Sequence, residues 1–483
     1  MDLDHEACYR AISARDPRFD GRLFTGVKTT GIYCRPVCPA RTPRSENVIF
    51  FPTAAAAQEA GFRPCLRCRP ETAPDLGAWR GSSNTVFRAL SLIEFGALDE
   101  AGVGALACRV GVGERQLRRL FSRDLGASPV AVAQTRRVLL AKQLIHETDL
   151  PMIEVALASG FGSLRRFNET FQALYARPPT ALRRARKGEA AAPGETVLLL
   201  RYKPPYDWAA MLDYLRARAI AGVECVADGV YRRTIALQGE HGAVSVQHAP
   251  PDALKVRIHF PRLAALPNII ARLRRMFDLA SDPDAVAFDL AQDAMLGPLV
   301  AGRPGLRLPG AWDGFEMAAR AILGQQITVN GAARLAARLA EKFGARIDLS
   351  DSALMRAFPE PAVLAQADLA GLGLTSRRAQ SLQALASAVA ADPHFLTPAR
   401  PLETALEHLR ALPGIGDWTA QYIALRLLRE PDAFPAADVG LLRSMAGRDG
   451  VRPTPKALLR RAEAWRPWRA YAAQYLWTCR LAA

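Results

Sequence analysis

Four cysteines near the start of the chain constrain its folding more than any other feature of the sequence. Cys34 and Cys38 lie in GIYCRPVC, and Cys65 and Cys68 lie in FRPCLRCRP. Two close pairs separated by a longer loop are typical of four thiolates that bind one tetrahedral Zn²⁺. The sequence therefore predicts one zinc ion per chain and a small domain that folds around it.

Arginines surround the two cysteine pairs. The six nearest are Arg35, Arg41, Arg44, Arg63, Arg67 and Arg69. Zinc-bound thiolates are nucleophiles and guanidinium groups bind phosphate, so the metal either is structural or holds a reactive sulfur against DNA. Structural sites are the commoner alternative, because a closed four-cysteine shell leaves no open position on the metal. The spacing alone leaves both alternatives open.

The overall charge favours a polyanionic partner. The chain has 483 residues, and its 63 Lys and Arg against 47 acidic residues give a net charge of +16. This balance is typical of proteins that bind nucleic acid, although an excess of Arg over Lys also follows from a GC-rich genome. No signal peptide opens the sequence and no apolar run is long enough to span a membrane. We therefore expect a reducing cytoplasm, where paired cysteines bind metal.

Changes in composition divide the chain into four modules. Residues 71–83 and 188–195 read as linkers, and the sequence between them is helical. The runs TVLLLRY, VYRRTIAL, AVSVQ and LKVRIHF then predict antiparallel strands, with a helix near residues 208–217, before helical periodicity returns. We predict a multidomain, mainly α-helical protein with α+β modules. The predicted domains span residues 1–75, 82–187, 196–300 and 301–483.

The second module contains a weak internal repeat. Residues 106–121 (LACRVGVGERQLRRLF) are echoed by residues 155–171 (VALASGFGSLRRFNETF), and a long helix around residues 131–145 joins them. Each copy has a small-residue helix, a turn with two glycines and a helix with outward arginines, which is the plan of a helix-turn-helix. A bundle with basic faces is the alternative for one copy, but two copies with the same turn favour helix-turn-helix.

This pair resembles the AraC-type DNA-binding domain, including ASGFGS, FNETF and the closing RPPTALR. The resemblance implies that the helices at about Glu114–Phe121 and Leu164–Phe171 enter the major groove. Four arginines on them are then candidate contacts to phosphates or bases: Arg115, Arg118, Arg165 and Arg166.

Residues 1–70 resemble the N-terminal domain of the Ada methylation-response proteins in ARDPRFDG, TTGIYCRPVCPAR and AGFRPCLRCRP. The resemblance implies that Cys34 accepts a methyl group from a DNA methylphosphotriester. Zinc would keep this sulfur deprotonated, and methylation would make the thiolate centre less negative and so raise DNA affinity. Ada proteins often continue into a methylguanine methyltransferase domain with a PCHR motif, but this sequence has none.

A hairpin motif and an aspartate lie close together in the last module. LPGIG at Leu412–Gly416 precedes a helix, and Asp438 follows in the apolar segment FPAADVGL. Glycines in such a hairpin let backbone N–H groups approach a phosphate. A lone aspartate is more often a helix cap, but a hairpin followed by an aspartate is the arrangement of the helix-hairpin-helix DNA glycosylases.

The resemblance continues over residues 196–480. This part of the chain resembles the 3-methyladenine DNA glycosylase II (AlkA) family in the motifs KPPYDW, RPGLRLPG, AILGQQ and WRPWRAYA. The resemblance implies that Asp438 is catalytic and that the enzyme is monofunctional, because Trp418 stands where bifunctional relatives carry a lysine. A pocket for a flipped, cationic base would use Trp418, Tyr422 and Trp477, with core packing as the alternative. The candidate DNA contacts are Leu412, Gly414, Gly416 and, at the position of the family's apolar wedge, Gln326.

We therefore predict a fused alkylation-damage protein with a zinc-thiolate methyl acceptor, an AraC-type module and a glycosylase that excises alkylated bases. Its predicted partner is double-stranded DNA, with methylphosphotriesters, alkylated bases and promoter sites as targets, and we expect a monomer that binds no membrane. Two alternatives stay open. One is a methylation-responsive regulator whose glycosylase-like half only binds DNA, and the other is a glycosylase whose zinc module is only an anchor.

Overall fold

The computed structural model describes residues 4–74, 85–183, 194–447 and 449–478. Both predicted linkers fall largely outside these ranges, as does Cys479. Within them the chain forms the expected multidomain, mainly helical structure with two small sheets, so the predicted fold class is confirmed. No helix in the described ranges is long and apolar enough to cross a membrane.

The first module is built on a four-stranded sheet that the sequence analysis did not predict. Its order is β3-β1-β2-β4, and only the β2–β4 pair is parallel. Because Tyr33 pairs with Pro64, parallel neighbours bring Cys34 and Cys65 to the same end of the sheet. The elements are α1 (His5–Ser13), β1 (Phe24–Val27), β2 (Ile32–Cys34), β3 (Val48–Phe51), α2 (Ala54–Glu59) and β4 (Arg63–Pro64).

The second module contains the two predicted helix-turn-helix units. Gly111 (φ +76°) and Gly160 (φ +80°) take left-handed conformations in the two turns, which favour glycine. The joining helix begins with Pro129 behind the Ser128 cap, whose side chain accepts from Ala131 N. The helices are α3 (Thr85–Glu94), α4 (Ala97–Glu100), α5 (Val103–Arg109), α6 (Glu114–Leu125), α7 (Pro129–Glu147), α8 (Met152–Ala158) and α9 (Leu164–Tyr175).

The third module is an antiparallel sheet of order β5-β9-β8-β7-β6 with one helix over it, as predicted. The sequence analysis missed the short edge strand β6, and its run AVSVQ begins at Ala243, three residues after the start of β8. The elements are β5 (Glu195–Arg201), α10 (Trp208–Arg216), β6 (Glu224–Ala227), β7 (Val230–Leu237), β8 (Glu240–Ala249) and β9 (Ala253–His259).

Of the remaining helices, α11 (Leu266–Met276) packs into the core that it shares with the β5–β9 sheet, and the others enclose a second, larger hydrophobic core. A π-helical turn, Ala424–Leu428, ends the helix that follows the LPGIG hairpin. The helices are α11 (Leu266–Met276), α12 (Pro283–Leu290), α13 (Leu296–Gly302), α14 (Gly314–Leu323), α15 (Val329–Phe343), α16 (Pro361–Ala365), α17 (Ser376–Ala391), α18 (Leu402–Arg410), α19 (Asp417–Ile423), α20 (Val439–Ser444), α21 (Pro455–Ala462) and α22 (Arg469–Thr478).

The modules pack directly against one another. Phe167 and Phe171 of α9 share a hydrophobic core with the β5–β9 sheet. Two side chains of α7 also bind the backbone of edge strand β5. Gln143 Nε2 donates to Leu199 O at 3.0 Å, and Leu199 N donates to Glu147 Oε2 at 3.0 Å. These contacts join the helix-turn-helix module to the glycosylase half as one packed body.

Candidate metal centre and candidate active site

The four cysteines of the first module converge on one point. Their sulfur atoms all lie within 4.8 Å of one another. A tetrahedral zinc ion with Zn–S bonds of about 2.3 Å places sulfurs about 3.8 Å apart, so the cluster suits one Zn²⁺. Cys65 and Cys68 are buried, whereas Cys34 and Cys38 are partly exposed. Only the first pair is therefore open to an incoming substrate.

Backbone N–H groups stabilise negative charge on the buried pair of sulfurs. Arg35 N donates to Cys68 Sγ at 3.3 Å, and Arg67 N donates to Cys65 Sγ at 3.3 Å. The thiols also hydrogen-bond to one another, and these bonds lower the pKa of Cys38 and Cys65 while the pKa of Cys34 and Cys68 is raised. Two of the four sulfurs therefore hold their protons in the free cluster, and zinc binding has to displace them.

Two of the six neighbouring arginines bind other groups of the protein instead of facing solvent. The Arg35 guanidinium is largely buried and binds Asp20, Cys68 O and Thr72 Oγ1. Arg69 pairs with Glu71 at 3.0 Å and with Glu147 at 3.3 Å. Arg41, Arg44 and Arg67 remain exposed. The positive surface available to a phosphate is thus smaller than the sequence indicates.

A buried charged group connects the metal centre to α7. Lys142 is fully buried and its Nζ donates to Cys65 O at 2.8 Å and to Glu71 Oε2 at 2.7 Å. The other carboxylate oxygen of Glu71 lies 3.4 Å from His146 Nδ1. Burial raises the pKa of Glu71, but the bonds to His146 and Lys142 outweigh it and lower the pKa to about 2. Glu71 is therefore an anion that ties the zinc domain to the helix-turn-helix module.

The two proposed groove helices begin where the sequence analysis placed them. Helix α6 begins at Glu114 and α9 begins at Leu164. The four candidate arginines are all exposed: Arg115, Arg118, Arg165 and Arg166. Two of them make ion pairs within their own helices, Arg118 with Glu114 at 2.7 Å and Arg165 with Glu169 at 2.8 Å. Exposed pairs of this kind are weak and open easily for a phosphate.

The LPGIG hairpin lies between α18 and α19, next to the turn between α14 and α15. Gly414 has a φ of +75°, and a Cβ there would lie 1.9 Å from Ser381 Oγ, so only glycine fits. Gln325 Nε2 donates to Gly414 O and to Thr419 Oγ1, both at 3.0 Å. These bonds place the neighbouring Gln326 beside the hairpin that carries Leu412 and Gly416.

Gln326 occupies a strained position at the surface. Its φ is +56°, and it is exposed. Left-handed backbone at a non-glycine residue is costly and often marks a functional site. Ile327 follows it and is 38% exposed, which makes this residue an apolar neighbour that the sequence analysis did not consider.

Asp438 is both the N-cap of α20 and the acceptor of two tryptophan side chains. Leu441 N donates to Asp438 Oδ1 at 2.9 Å. Trp477 Nε1 donates to the same oxygen at 2.8 Å, and Trp418 Nε1 donates to Oδ2 at 2.9 Å. Three N–H donors therefore fix the orientation of a partly exposed carboxylate.

The three predicted aromatic residues lie together beside this carboxylate. Trp418 stacks on Tyr422 with centroids 5.4 Å apart and an interplanar angle of 12°. Tyr422 meets Trp477 edge to face at 6.2 Å. All three side chains are partly exposed, so they form an open aromatic wall rather than a sealed core.

Tyr214 and two arginines complete this wall, and the sequence analysis missed all three. Tyr214 Oη lies 3.4 Å from Tyr422 Oη. Arg426 is 1% exposed, and its guanidinium lies 4.7 Å from the Tyr214 ring, 5.5 Å from the Tyr422 ring and 5.0 Å from the Trp477 ring. Arg218 covers Tyr214 at 4.0 Å. The only sequence signal was the charge of Arg426 within the apolar run IALRLL.

Four family models match successive parts of the chain. They are described as "Metal binding domain of Ada" (residues 7–71), "Helix-turn-helix domain" (residues 106–185), "AlkA N-terminal domain" (residues 197–313) and "HhH-GPD superfamily base excision DNA repair protein" (residues 319–470).

Curated relatives match both the whole chain and its parts. A Mycobacterium tuberculosis protein named "Probable bifunctional transcriptional activator/DNA repair enzyme AlkA" is 42% identical over 482 residues, 99% of this chain and 97% of the relative. "DNA-3-methyladenine glycosylase 2" of Escherichia coli is 40% identical over 58% of this chain and 95% of its own length. "Bifunctional transcriptional activator/DNA repair enzyme Ada" of Escherichia coli is 40% identical over 28% of this chain and 37% of its own length.

Among solved structures, a 3-methyladenine DNA glycosylase from Archaeoglobus fulgidus shares the fold of the C-terminal half. It superposes with a TM-score of 0.53 at 24% identity, covering 58% of this chain and 97% of that protein.

Proposed function

We propose that this chain, which belongs to the family of bifunctional transcriptional activator/DNA repair enzymes AlkA, uses two separate centres against two kinds of alkylation damage. It is a DNA alkylation repair protein: a 3-methyladenine-type DNA glycosylase joined to an Ada-type zinc module and a helix-turn-helix module. Its partner is DNA.

Asp438 is the proposed catalytic residue of the glycosylase. The observation that carries this assignment is its carboxylate, which three N–H donors hold at the edge of an open aromatic wall. When the bond from C1′ of the sugar to the base breaks, its electron pair leaves with the base and positive charge develops on the sugar. A fixed, ionised carboxylate stabilises that charge, and water then adds to C1′.

Trp418, Tyr422 and Trp477 are the proposed walls of the base pocket. A purine alkylated on a ring nitrogen is cationic, and electron-rich rings attract a cation. Such a base is already a good leaving group and needs no general acid to protonate it. Among the residues described, the aromatic wall accordingly has no carboxyl group besides that of Asp438. The pocket is reached by a nucleotide flipped out of the duplex.

The hairpin and Gln326 are the proposed contacts to the DNA around the lesion. The backbone N–H groups of the Leu412–Gly416 hairpin can approach a phosphate because Gly414 and Gly416 carry no side chains. Gln326, exposed on a strained turn beside the hairpin, is the proposed residue that fills the gap left by the flipped base.

The glycosylase assignment is tested by release of 3-methyladenine from methylated DNA. Wild type is expected to release the base in repeated turnovers, and Asp438→Asn to reduce the rate by about two to three orders of magnitude. Asparagine preserves the shape and can still cap α20, so folding is checked by an unchanged thermal midpoint. A wild-type protein that binds the methylated duplex without releasing base would support the regulator that only binds DNA.

Cys34 is the proposed methyl acceptor of the zinc centre. It lies at the end of β2 in the partly exposed pair of the cluster, and exposed Arg41 and Arg67 are available to hold a phosphate nearby. Zinc held by the four cysteines would keep the sulfur deprotonated. Cys34 Sγ attacks the methyl carbon, the carbon–oxygen bond breaks, and its electron pair stays on the phosphate oxygen. The thioether has no route back, so each chain reacts once.

The helix-turn-helix module is proposed to read promoter DNA through α6 and α9. Their exposed arginines supply the positive surface, and methylation of Cys34 would remove one negative charge from the chain and so favour DNA binding. We further propose that the protein acts as a monomer at cytoplasmic DNA.

A further inference from the structure

The base pocket carries a positive charge that a binder of cationic purines does not need. Arg426 is buried on the π-helical turn and donates to Pro309 O at 3.1 Å and to Gln474 Oε1 at 2.9 Å. Neither partner is a carboxylate, and no ion pair to Arg426 occurs within the described part of the chain. Its charge therefore acts on the rings of Tyr214, Tyr422 and Trp477.

This charge changes the chemistry of the two tyrosine hydroxyls. Burial raises the pKa of Tyr422, but the charges of Arg426 and Arg218 and the hydrogen bond with Tyr214 outweigh it and lower the pKa to about 8. Burial raises the pKa of Tyr214. Either hydroxyl can donate to the other across the 3.4 Å contact, and the cations Arg426 and Arg218 favour Tyr214 as the donor because they stabilise negative charge on Tyr422 Oη. This direction leaves the hydrogen of Tyr422 available to another acceptor. An acidified hydroxyl is a strong donor.

We propose that Tyr214 is a specificity-determining positioning residue, whose hydroxyl aims the Tyr422 O–H at the departing base and so extends excision to uncharged damaged purines. This inference rests on the proposed glycosylase function. It concerns the choice between lesions at the same site, and it does not alter the role of Asp438.

The difference between lesions follows from the charge on the leaving base. A cationic purine becomes neutral when the bond from C1′ to its ring nitrogen breaks, so it needs no donor. An uncharged purine takes the electron pair and becomes an anion, until it receives the proton released when water adds to C1′. The Tyr422 O–H, with Arg426 and Arg218 behind it, stabilises that anion while it forms.

The test uses two matched duplexes, one with hypoxanthine as the uncharged lesion and one with 7-methylguanine as the cationic lesion. Single-turnover rates are measured for wild type, Tyr214→Phe and the control Tyr206→Phe. The Tyr206→Phe substitution likewise removes one hydroxyl hydrogen bond, which Tyr206 Oη donates to Phe277 O at 2.7 Å. We expect Tyr214→Phe to lower the ratio of hypoxanthine to 7-methylguanine rates about tenfold, the value of one hydrogen bond to a charged group, and Tyr206→Phe to leave the ratio unchanged.

The pH profile supplies a readout that a purely structural role would not change. The groups that face Tyr422 are the cations Arg426 and Arg218, the Tyr214 hydroxyl and, across Trp418 and Trp477, the Asp438 carboxylate. As pH rises through about 8, Tyr422 loses its proton, so wild-type excision of hypoxanthine should fall relative to 7-methylguanine. Tyr214→Phe removes a donor to the phenolate, so the fall should move to higher pH.

Three results would overturn the proposal. They are an unchanged ratio in Tyr214→Phe, an equal ratio loss in Tyr206→Phe, and a wild-type enzyme that excises 7-methylguanine but no hypoxanthine. Failure to excise either lesion would instead contradict the glycosylase function on which the proposal rests. Equal thermal midpoints for the three proteins show that they are folded alike.

Discussion

The zinc centre and the Asp438 centre hold a negative group in the same way but are assembled differently. At the zinc centre, backbone N–H groups of Arg35 and Arg67 stabilise sulfurs that lie close together in sequence. At the second centre, indole N–H groups from α19 and α22 hold one carboxylate at the start of α20. The first centre is local to one small sheet, whereas the second needs the packing of several helices.

This difference predicts which activity a substitution at each centre should affect. The zinc centre depends on its own sheet and on the contacts that Glu71 and Arg69 make with α7, so changes there should leave base excision intact. The Asp438 centre depends on long-range packing within the glycosylase half, so changes there should leave the zinc cluster intact.

Replacement of the proposed acceptor should abolish methyl transfer. Cys34→Ser should take no methyl group from methylphosphotriester DNA, whereas wild type should take one, because an uncharged serine hydroxyl is a far weaker nucleophile than a thiolate. Intact-protein mass spectrometry measures the transfer. Cys108→Ser, which alters an exposed cysteine away from the cluster, is the control and should still gain one methyl group. Methylation that persists in Cys34→Ser would assign the acceptor elsewhere.

Removal of the buried contact to α7 should destabilise the zinc domain. Lys142→Met leaves Glu71 buried without its lysine partner, which should cost about 3 kcal/mol of unfolding free energy, since Arg69 and His146 remain as partners. Faster loss of zinc to a chelator measures this. Lys342→Met, at an exposed site, should change stability by less than about 0.5 kcal/mol. A base-excision rate that falls along with zinc retention would contradict independent centres.

Loss of one donor to Asp438 should slow excision moderately. Trp477→Phe removes the bond to Asp438 Oδ1 and should lower the single-turnover rate about tenfold, the value of one hydrogen bond to a charged group. Trp468→Phe is a matched control, because its indole bonds Asp289 instead. Equal slowing of excision in both variants would contradict a special role for the indole hydrogen bond to Asp438.

The smallest expected effect concerns the helix-turn-helix module. Arg115→Ala should weaken DNA binding only slightly and reduce the slope of log Kd against log salt by about one. Arg262→Ala, which changes an exposed arginine on the α+β module, should leave the slope unchanged. Salt titrations of binding to undamaged duplex measure both. Equal slopes for Arg115→Ala and wild type would remove α6 from the DNA interface.

Much of the fold was predictable because its signals are local. The spacing of Cys34, Cys38, Cys65 and Cys68 predicted the metal centre, and the repeated glycine turns predicted both helix-turn-helix units. The sheet of the zinc domain was missed because its strands have two to four residues, too few for a visible alternation. The phosphate-binding role given to Arg35 needed correction, because its partner Asp20 lies on a separate loop that only folding brings close.

The Asp438 centre was predictable only in part. A family motif identified Asp438 and the three rings near it, but not the hydrogen bonds that Trp418 and Trp477 donate to the carboxylate. Tyr214 lies 208 residues from Tyr422 in sequence, so no spacing rule connects them. Arg426 lies on a π-helical turn, whose phase a 3.6-residue period does not anticipate.

The most direct test of two independent centres on one chain uses methylated DNA that carries both lesions. Wild type, Cys34→Ser and Asp438→Asn are each assayed for 3-methyladenine released and for methyl groups gained by the protein. The account predicts that Cys34→Ser loses only methyl gain, and that Asp438→Asn loses base release by about two to three orders of magnitude while still gaining one methyl group. Loss of both activities in either folded variant would contradict it.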